Sequence, residues 1–467
     1  MSFSRRGFLG TSAAALAFSG YARANASAIA DAYVNEVAGY GPLVEDPNGV
    51  FDMPEGFSYR IISQAGQTMD DGLLVPGAFD GMGCIPLDSE RVALVRNHEL
   101  KVTHRNTGPL GPGRRLTGLD KSRAYDLDDD GFPLPGGTTT AVYNMKTGRT
   151  ERQHLSLAGT LINCAGGVTP WGSWLSCEET TLKAGAGIGK DHGWVFEVPA
   201  TAKGLVEPVP LKALGRFRHE AACVDPRTGI VYLTEDTNDS LLYRLLPHTR
   251  GDLAKGGQLQ ALGFVEEPTG CDTRNWEGRT GMAPGSWRNA RWIDLDHPES
   301  PDDDLRLRGA KAGAAIFARG EGIFWGKDEL YFTCTSGGAK KAGQIMRYVP
   351  SAREGQSDEA DAPGRTQLFV ESANEKVLDY ADNIAIAPWG HIIACEDRYS
   401  DVKRNHLKGV TADGKVYTIG RNVFRGNAEL AGVCFSPDGG TLFVNIYTPG
   451  ITLAVTGPWA SFSNAPA

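Results

Sequence analysis

Three pairs of neighbouring acids stand at the ends of similar apolar segments. The segments are GSWLSCEE, GIVYLTED and GHIIACED, and their pairs are Glu178–Glu179, Glu235–Asp236 and Glu396–Asp397. Carboxylates gathered in one pocket repel each other, by about 4 kcal/mol for two charges about 4 Å apart at an intermediate dielectric constant. Such a group persists only when it is protonated or when cations lie between its members. If these segment ends meet, the pairs predict a site for hard cations such as calcium.

Four other motifs hold residue types that could complete a site for metal and phosphate. They are NCAGG with Cys164, GRFRHEAA with Glu220, ARGEG with Arg319 and Glu321, and LDYADNIA with Asp382. A thiolate adds affinity for a transition metal such as iron. A planar guanidinium binds phosphate oxygens in a bidentate way. In a strand, Arg319 and Glu321 share a face, so one can hold phosphate while the other holds metal.

Taken singly, each of these residues also has an ordinary explanation. Arg319 and Glu321 could form a surface ion pair of little energetic value. Cys164 could be a buried thiol or half of a disulfide, and the acid pairs could simply be solvated. The functional interpretation therefore depends on whether the fold brings the motifs together.

The apolar segments repeat one pattern of a turn, a strand and a polar end. Six copies occur, starting at Glu90, Gly172, Gly229, Asp328, Gly390 and Gly440. The 59 glycines and 26 prolines make a turn-dense chain, which favours short strands. Repetition of one unit at this scale is typical of a propeller. We predict an all-β fold, a six-bladed β-propeller over residues 40–467 with long loop insertions, whose strand ends meet at one axis. The alternative is a β-sandwich of unrelated hairpins.

The N-terminal sequence predicts export. SRRGFLG carries twin arginines before a short apolar run, and small residues follow it, which is typical of a twin-arginine signal over residues 1–26. We therefore expect a periplasmic or secreted monomer that meets the twin-arginine translocon during export. The net charge of −9 and the lack of a basic cluster argue against a nucleic-acid-binding surface. No further apolar stretch approaches 18 residues, so no stable membrane anchor is expected.

A separate acidic motif leaves two interpretations open. DLDDDGF, from Asp126, begins like a calcium-binding loop, but Gly137 stands where such a loop has its glutamate. The motif could form a second, structural calcium site or an acidic surface turn.

Taken in order, the motifs resemble those of the PhoX-type alkaline phosphatases, from about residue 50 to about residue 450. The resemblance implies a β-propeller that holds calcium and ferric iron (Ca2+ and Fe3+) at its axis and hydrolyses phosphate monoesters, in some members diesters. It also implies that Cys164 and Glu220 bind iron. The calcium ligands that it implies are Glu235, Asp236 and Glu321, with Asp382 and Glu396 completing the cluster. Arg319 is implied to bind the phosphate. Glu178 and Glu179 match less closely, and one of them could stand behind the metal ligands. NHE (97–99) and GGTTT (136–140) also echo the family, with no role assigned.

The sequence thus predicts a metal-dependent phosphoric ester hydrolase that acts on a small phosphate ester. Two alternatives remain open at this stage: a calcium-dependent lactonase or esterase on a propeller, and an exported calcium-binding scaffold without activity. Neither a G-x-S-x-G nucleophile motif nor a nucleotide-binding P-loop is present, which removes two common enzyme classes.

Overall fold

The computed structural model describes residues 32–113, 119–398, 404–425 and 428–467. The twin-arginine motif lies outside these residues, so the export signal stays a prediction. Within them the chain is all-β, with one short α-helix, α1 (Leu305–Lys311). None of the described helices is long and apolar enough to cross a membrane.

The first half of the chain forms two antiparallel sheets after three N-terminal strands. Those three strands are β1 (Leu43–Val44), β2 (Phe51–Pro54) and β3 (Ser58–Gln64). The first sheet has the order β4 (Phe79–Pro86), β5 (Arg91–His98), β6 (Gly136–Asn144), β7 (Arg149–Thr160). The second has the order β8 (Asn163–Val168), β9 (Ser173–Glu178), β10 (Val195–Pro199).

The next nine strands belong to one continuous sheet built from two successive meanders. The first meander contains β11 (His219–Val224), β12 (Val231–Glu235), β13 (Tyr243–Pro247), β14 (Gly257–Phe264) and β15 (Trp287–Asp294). The second contains β16 (Gly320–Trp325), β17 (Leu330–Cys334), β18 (Gln344–Val349) and β19 (Arg365–Glu371). The outermost strands β15 and β19 pair with each other and so join the two meanders.

The last two sheets combine C-terminal and N-terminal strands. One has β20 (Ala381–Ile386), β21 (Ile392–Glu396), β22 (His406–Val410) and β23 (Val416–Asn422), extended by β2 and β1. The other has β24 (Leu430–Phe435), β25 (Thr441–Ile446) and β26 (Ile451–Thr456), and β3 pairs with β26 at its edge. Strands from the first and last parts of the described residues therefore pair within the same two sheets.

Six strands, here called the ring strands, form the centre of the molecule: β4, β8, β11, β16, β20 and β24. Each contacts the next, and β24 contacts β4, so the ring closes. Strands such as β9, β12 and β21 are buried along their whole length because sheets pack against both of their faces. The hydrophobic core lies between adjacent sheets. This closed ring is a propeller-like arrangement, as the sequence predicted, and it excludes the β-sandwich.

Candidate metal centre

Every ring strand has the same irregularity near its start. Its register against the next strand shifts by one residue there, which marks a β-bulge. A bulge redirects a side chain and is common beside functional sites. The residue directly after the last regular pair is acidic or a cysteine in five ring strands and glycine in the sixth: Asp80, Cys164, Glu220, Glu321, Asp382 and Gly432.

The bulges bring side chains from distant parts of the sequence into contact. Candidate ligand atoms of Cys164, Glu179 and Glu220 lie within 4.8 Å of one another, and so do those of Glu220, Glu321 and Asp382. Glu220 belongs to both groups. Cys164 Sγ lies 3.2 Å from Glu220 Oε1 and 3.4 Å from Asp80 Oδ2. The fold therefore gathers Cys164, Glu220, Glu321 and Asp382 as the sequence analysis expected.

Burial and mutual repulsion favour the protonated forms of these groups in the absence of a cation. Burial, with neighbouring carboxylates adding to it, raises the pKa of Glu179 and of Asp382 to about 8. Burial, followed by the nearby Glu321 and Asp382, raises the pKa of Glu220 well above its ordinary value. The pKa of the Cys164 thiol is also raised by burial and by adjacent acids. A bound cation would replace these protons, which couples metal binding to pH.

The residues present fit a cation cluster. Glu220 Oε2 is buried and accepts no hydrogen bond from any described residue. An uncompensated buried carboxylate oxygen is costly, and a cation removes that cost. Carboxylate oxygens suit a hard cation such as calcium, and the Cys164 sulfur suits a transition metal.

In four of the six units, an acid follows the second strand and lies near this group. Glu99 follows β5, Glu179 follows β9, Asp236 follows β12 and Asp397 follows β21. Burial raises the pKa of Glu99, and the charges of Asp397 and Asp236 raise it further. Glu429, just before β24, is also close, because Asp397 adds to the effect of burial in raising its pKa. The second acids of the three pairs therefore lie near the group: Glu179 belongs to it, Asp236 acts on Glu179 and Asp397 acts on Asp382.

The first acid of each pair points into its own sheet, because neighbouring residues of a strand face opposite sides. Glu178 accepts hydrogen bonds from the backbone amides of Leu161, Gly193 and Trp194. Glu235 accepts one from the Tyr243 hydroxyl at 2.7 Å. Glu396 accepts from the amides of Asp379 and His406 at 3.0 Å.

Glu235 and Glu396 lie outside the two candidate ligand groups, and their metal-binding roles stay predictions. The adjacent Asp236 and Asp397 also lie outside those groups, but their charges act on Glu99 and raise its pKa. Of the ambiguous pair Glu178 and Glu179, the second is the one at the centre.

Arg319 lies at the rim of the acidic group. Its Nε and Nη2 donate to the two carboxylate oxygens of Asp236 at 2.8 and 2.9 Å, and Nη2 also lies 2.9 Å from Glu321 Oε1. These contacts fix the guanidinium. Nη1 donates no hydrogen bond to any described residue, so it is available to an incoming anion. The side chain is 30% exposed, so the group is accessible from solvent.

Backbone strain recurs at one position beside the centre. In four ring strands, the residue two positions before the bulged residue has a left-handed backbone conformation, with φ between 49° and 54°. These residues are Ala78, Ile162, Arg319 and Tyr380. Such a conformation costs about 1–3 kcal/mol for a residue other than glycine and persists where the surrounding structure imposes it. Its recurrence shows that the ring fixes the orientation of the bulged side chains.

Sequence reasoning missed Asp80, Glu99, Asp397 and Glu429 as members of the group. Glu99 and Asp397 occupy the same place after their strands as Glu179 and Asp236, so aligning the six repeats would have found both. Within NHE, Asn97 donates to the carbonyl oxygens of Cys164 and Ala165 at 3.1 and 2.6 Å. Asn97 therefore supports the bulge that presents Cys164.

The Asp126 motif forms a turn of the ordinary acidic kind. Asp126 accepts hydrogen bonds from the amides of Leu127, Gly189 and Lys190, and Asp128 accepts from the amides of Asp130 and Phe132. These N–H donors occupy both oxygens of Asp126 and Oδ1 of Asp128, and both side chains are buried, which favours a hydrogen-bonded turn over a second calcium site.

Comparison with known proteins identifies the family. The family model for alkaline phosphatase PhoX matches residues 38–142 and 130–450, which is most of the chain. The chain belongs to the PhoX family. PhoX from Pseudomonas fluorescens, solved in complex with vanadate, a transition state analogue, has the same fold: TM-score 0.64 and 18% identity, over 91% of this chain and 98% of that one. Membership of the PhoX family makes this chain a metal-dependent phosphoric ester hydrolase.

Other likenesses are looser. A gluconolactonase from Xanthomonas campestris matches with TM-score 0.37 and 13% identity, over 90% of this chain and 98% of its own. The β-propeller domain of Cps50 from Myceliophteria thermophila matches with TM-score 0.40 and 10% identity, over 86% of this chain and all of its own. Both are too distant to bear on the function. No curated protein matches the chain significantly.

Proposed function

We propose that this PhoX protein hydrolyses small phosphate monoesters at a centre that holds Ca2+ and Fe3+. The observation that carries the proposal is the meeting of Cys164, Glu220, Glu321 and Asp382 in one buried group. Glu220 would lie between the metals. The thiol-containing group with Glu179 suits iron, and the all-carboxylate group with Glu321 and Asp382 suits calcium.

The metals, when bound, would neutralise charge on the phosphoryl oxygens and lower the pKa of a coordinated water. Phosphoryl transfer needs mainly positioning and charge stabilisation, so a covalent nucleophile is not required. The protein's own side chains have the role of holding the phosphate in place. Arg319, fixed by Asp236 and Glu321, offers its free Nη1 to a phosphate oxygen at the rim of the centre.

Architecture and location belong to the same proposal. Counting one blade for each ring strand gives six blades, two of which share the continuous nine-stranded sheet.

The twin-arginine motif supports export through the twin-arginine translocon to the periplasm or beyond. A closed ring in which β2 and β3 pair with C-terminal strands supports a monomer. That the P. fluorescens relative binds vanadate supports chemistry at phosphorus for this chain.

Substitution of Arg319 tests the phosphatase. With 4-nitrophenyl phosphate and metal-loaded protein, we expect Arg319→Ala to lower kcat/KM by about a hundredfold or more, because a charge-stabilising donor is lost from the transition state. Arg319→Lys should recover only part of the activity, since it cannot bind in a bidentate way. Arg353→Ala removes a comparably exposed arginine, paired with Asp358 at 3.0 Å, and serves as the matched control.

Elemental analysis accompanies each assay. The proposal predicts calcium and iron in the active protein and their retention in Arg319→Ala. Full activity in that variant, or turnover by protein that contains neither metal, would contradict it.

A further inference from the structure

A second arginine occupies the sequence position equivalent to that of Arg319, although only Arg319 has a left-handed backbone there. Arg218 stands two residues before the bulged Glu220, as Arg319 stands two residues before the bulged Glu321. Arg218 Nη2 lies 3.2 Å from Glu179 Oε1, and Arg319 Nη2 lies 2.9 Å from Asp236 Oδ2. Each arginine thus pairs with the acid that follows the second strand of the preceding unit. For Arg218 this acid is Glu179, after β9, and for Arg319 it is Asp236, after β12.

The two guanidinium groups differ in how much of their donor capacity is used. Nε and Nη2 of Arg319 are held by Asp236 and Glu321. The guanidinium of Arg218 contacts only Glu179 within the described part of the chain. The Arg218 side chain is 48% exposed, against 30% for Arg319. Most N–H donors of Arg218 therefore face solvent at the rim, where they could bind an anion.

Both arginines lie over the same centre. Glu179, the partner of Arg218, has its ligand atom within 4.8 Å of Glu220, and so has Glu321, a partner of Arg319. Each guanidinium group therefore pairs with a carboxylate that neighbours Glu220. A substrate whose only anionic group is the phosphoryl group at Arg319 would not contact Arg218. A substrate with a second anionic group could contact both arginines.

Electrostatics gives the second arginine a specific purpose. The acids around the centre would repel an alcohol portion that carries its own negative charge. A guanidinium at the rim removes that repulsion and forms charge-assisted hydrogen bonds with a carboxylate or a phosphate.

We propose that Arg218 binds an anionic group on the alcohol portion of the substrate, so that the enzyme selects phosphate monoesters whose alcohol carries a carboxylate or a second phosphate. This inference rests on the phosphatase function proposed above. Arg319 holds the reacting phosphoryl group, and Arg218 holds the neighbouring anion.

The test uses two monoesters that differ mainly in that anion. 3-Phosphoglycerate carries a carboxylate where glycerol 3-phosphate carries a neutral hydroxymethyl group. We expect metal-loaded wild-type protein to have a higher kcat/KM for 3-phosphoglycerate. In Arg218→Ala, the ratio of the two kcat/KM values should fall by about tenfold, which is the effect of one charge-assisted hydrogen bond. Arg218→Lys should lie between the two, and Arg353→Ala should keep the wild-type ratio.

The ratio separates selection from damage. Loss of the Glu179 counter-ion could weaken metal binding, but that would lower both rates together and leave their ratio unchanged. Metal content and thermal unfolding are measured for every variant, and Arg218→Gln replaces Arg218→Ala if the latter does not fold.

The possible failures are also distinguishable. A ratio within about twofold of wild type in metal-containing Arg218→Ala would overturn the role of Arg218 and leave the phosphatase standing. Absence of phosphate release from both esters and from 4-nitrophenyl phosphate by metal-loaded wild type would overturn the proposed function itself.

Discussion

Glu220 is the residue on which both halves of the centre depend. Its carboxylate lies beside the Cys164 sulfur on one side and shares a ligand-sized space with Glu321 and Asp382 on the other. One of its oxygens is buried without a hydrogen-bond partner among the described residues. A side chain in this state is more easily explained as a shared cation ligand than as a structural group, since a structural carboxylate would be matched with donors.

Glu178, which accepts hydrogen bonds within its own sheet, and Glu179, which belongs to a candidate ligand group, can be compared by making the same Glu→Gln substitution at each. We expect Glu179→Gln to weaken calcium binding by about tenfold or more, because a central carboxylate loses its charge. Glu178→Gln should leave calcium affinity nearly unchanged but lower the free energy of unfolding by about 2 kcal/mol, since Glu178 accepts three backbone hydrogen bonds and also lies 2.6 Å from His192 Nδ1.

Calorimetric titration with calcium and urea unfolding of the metal-free protein measure the two effects. The reversed result, with calcium affinity lost in Glu178→Gln and kept in Glu179→Gln, would show that the first acid is the ligand.

At the scale of the strand, the bulge decides which side chains meet. Motif types and strand ends were enough to predict that Cys164, Glu220, Glu321 and Asp382 come together. They did not show which acid of a pair lies nearer the centre: both Glu235 and Asp236 were predicted as ligands, and Glu396 was predicted without Asp397. Alternation makes that choice depend on register, and the bulge shifts the register by one residue without an obvious signal in the sequence. Glu429 precedes its strand and belongs to no acid pair, so no pattern pointed to it.

The second residue of the bulge must be small where ring strands pack closely. A Cβ at Gly322 would lie 2.8 Å from the Ile384 nitrogen and closer still to the Asp382 carbonyl oxygen. We expect Gly322→Ala to cost about 2–3 kcal/mol of stability and to weaken calcium binding, because the backbone that carries Asp382 must move. Gly204→Ala is the control, since no described heavy atom lies within 4 Å of its Cβ position.

Urea unfolding and calcium titration on both variants check this expectation. Equal stability of the two variants would mean that the bulges tolerate displacement, and the geometric argument for the centre would lose its basis.

At the scale of the whole molecule, the centre exists only when the ring is closed. Asp80 comes from the first ring strand and Asp382 from the fifth, while β3, from the N-terminal part, completes the sheet of β24. Bringing these acids together costs free energy that cations return, so metal binding should act on the stability of the complete fold.

The pH dependence of stability should therefore differ between the metal-free and the calcium-bound protein. Glu179 and Asp382 have pKa values of about 8 in the folded metal-free protein, against 4.5 and 3.8 ordinarily. Between those values the folded state binds more protons than the unfolded state, so stability is lost as pH rises from about 5 to about 8.5, by on the order of a few kcal/mol per group.

We expect the Tm of chelator-treated protein to fall over this range and calcium to raise Tm most at the alkaline end, where it replaces no proton. Thermal unfolding followed by circular dichroism, with Asp382→Asn expected to show a shallower fall, measures this. A chelated protein that is more stable at pH 8.5 than at pH 5 would contradict the gathering of these acids at one centre.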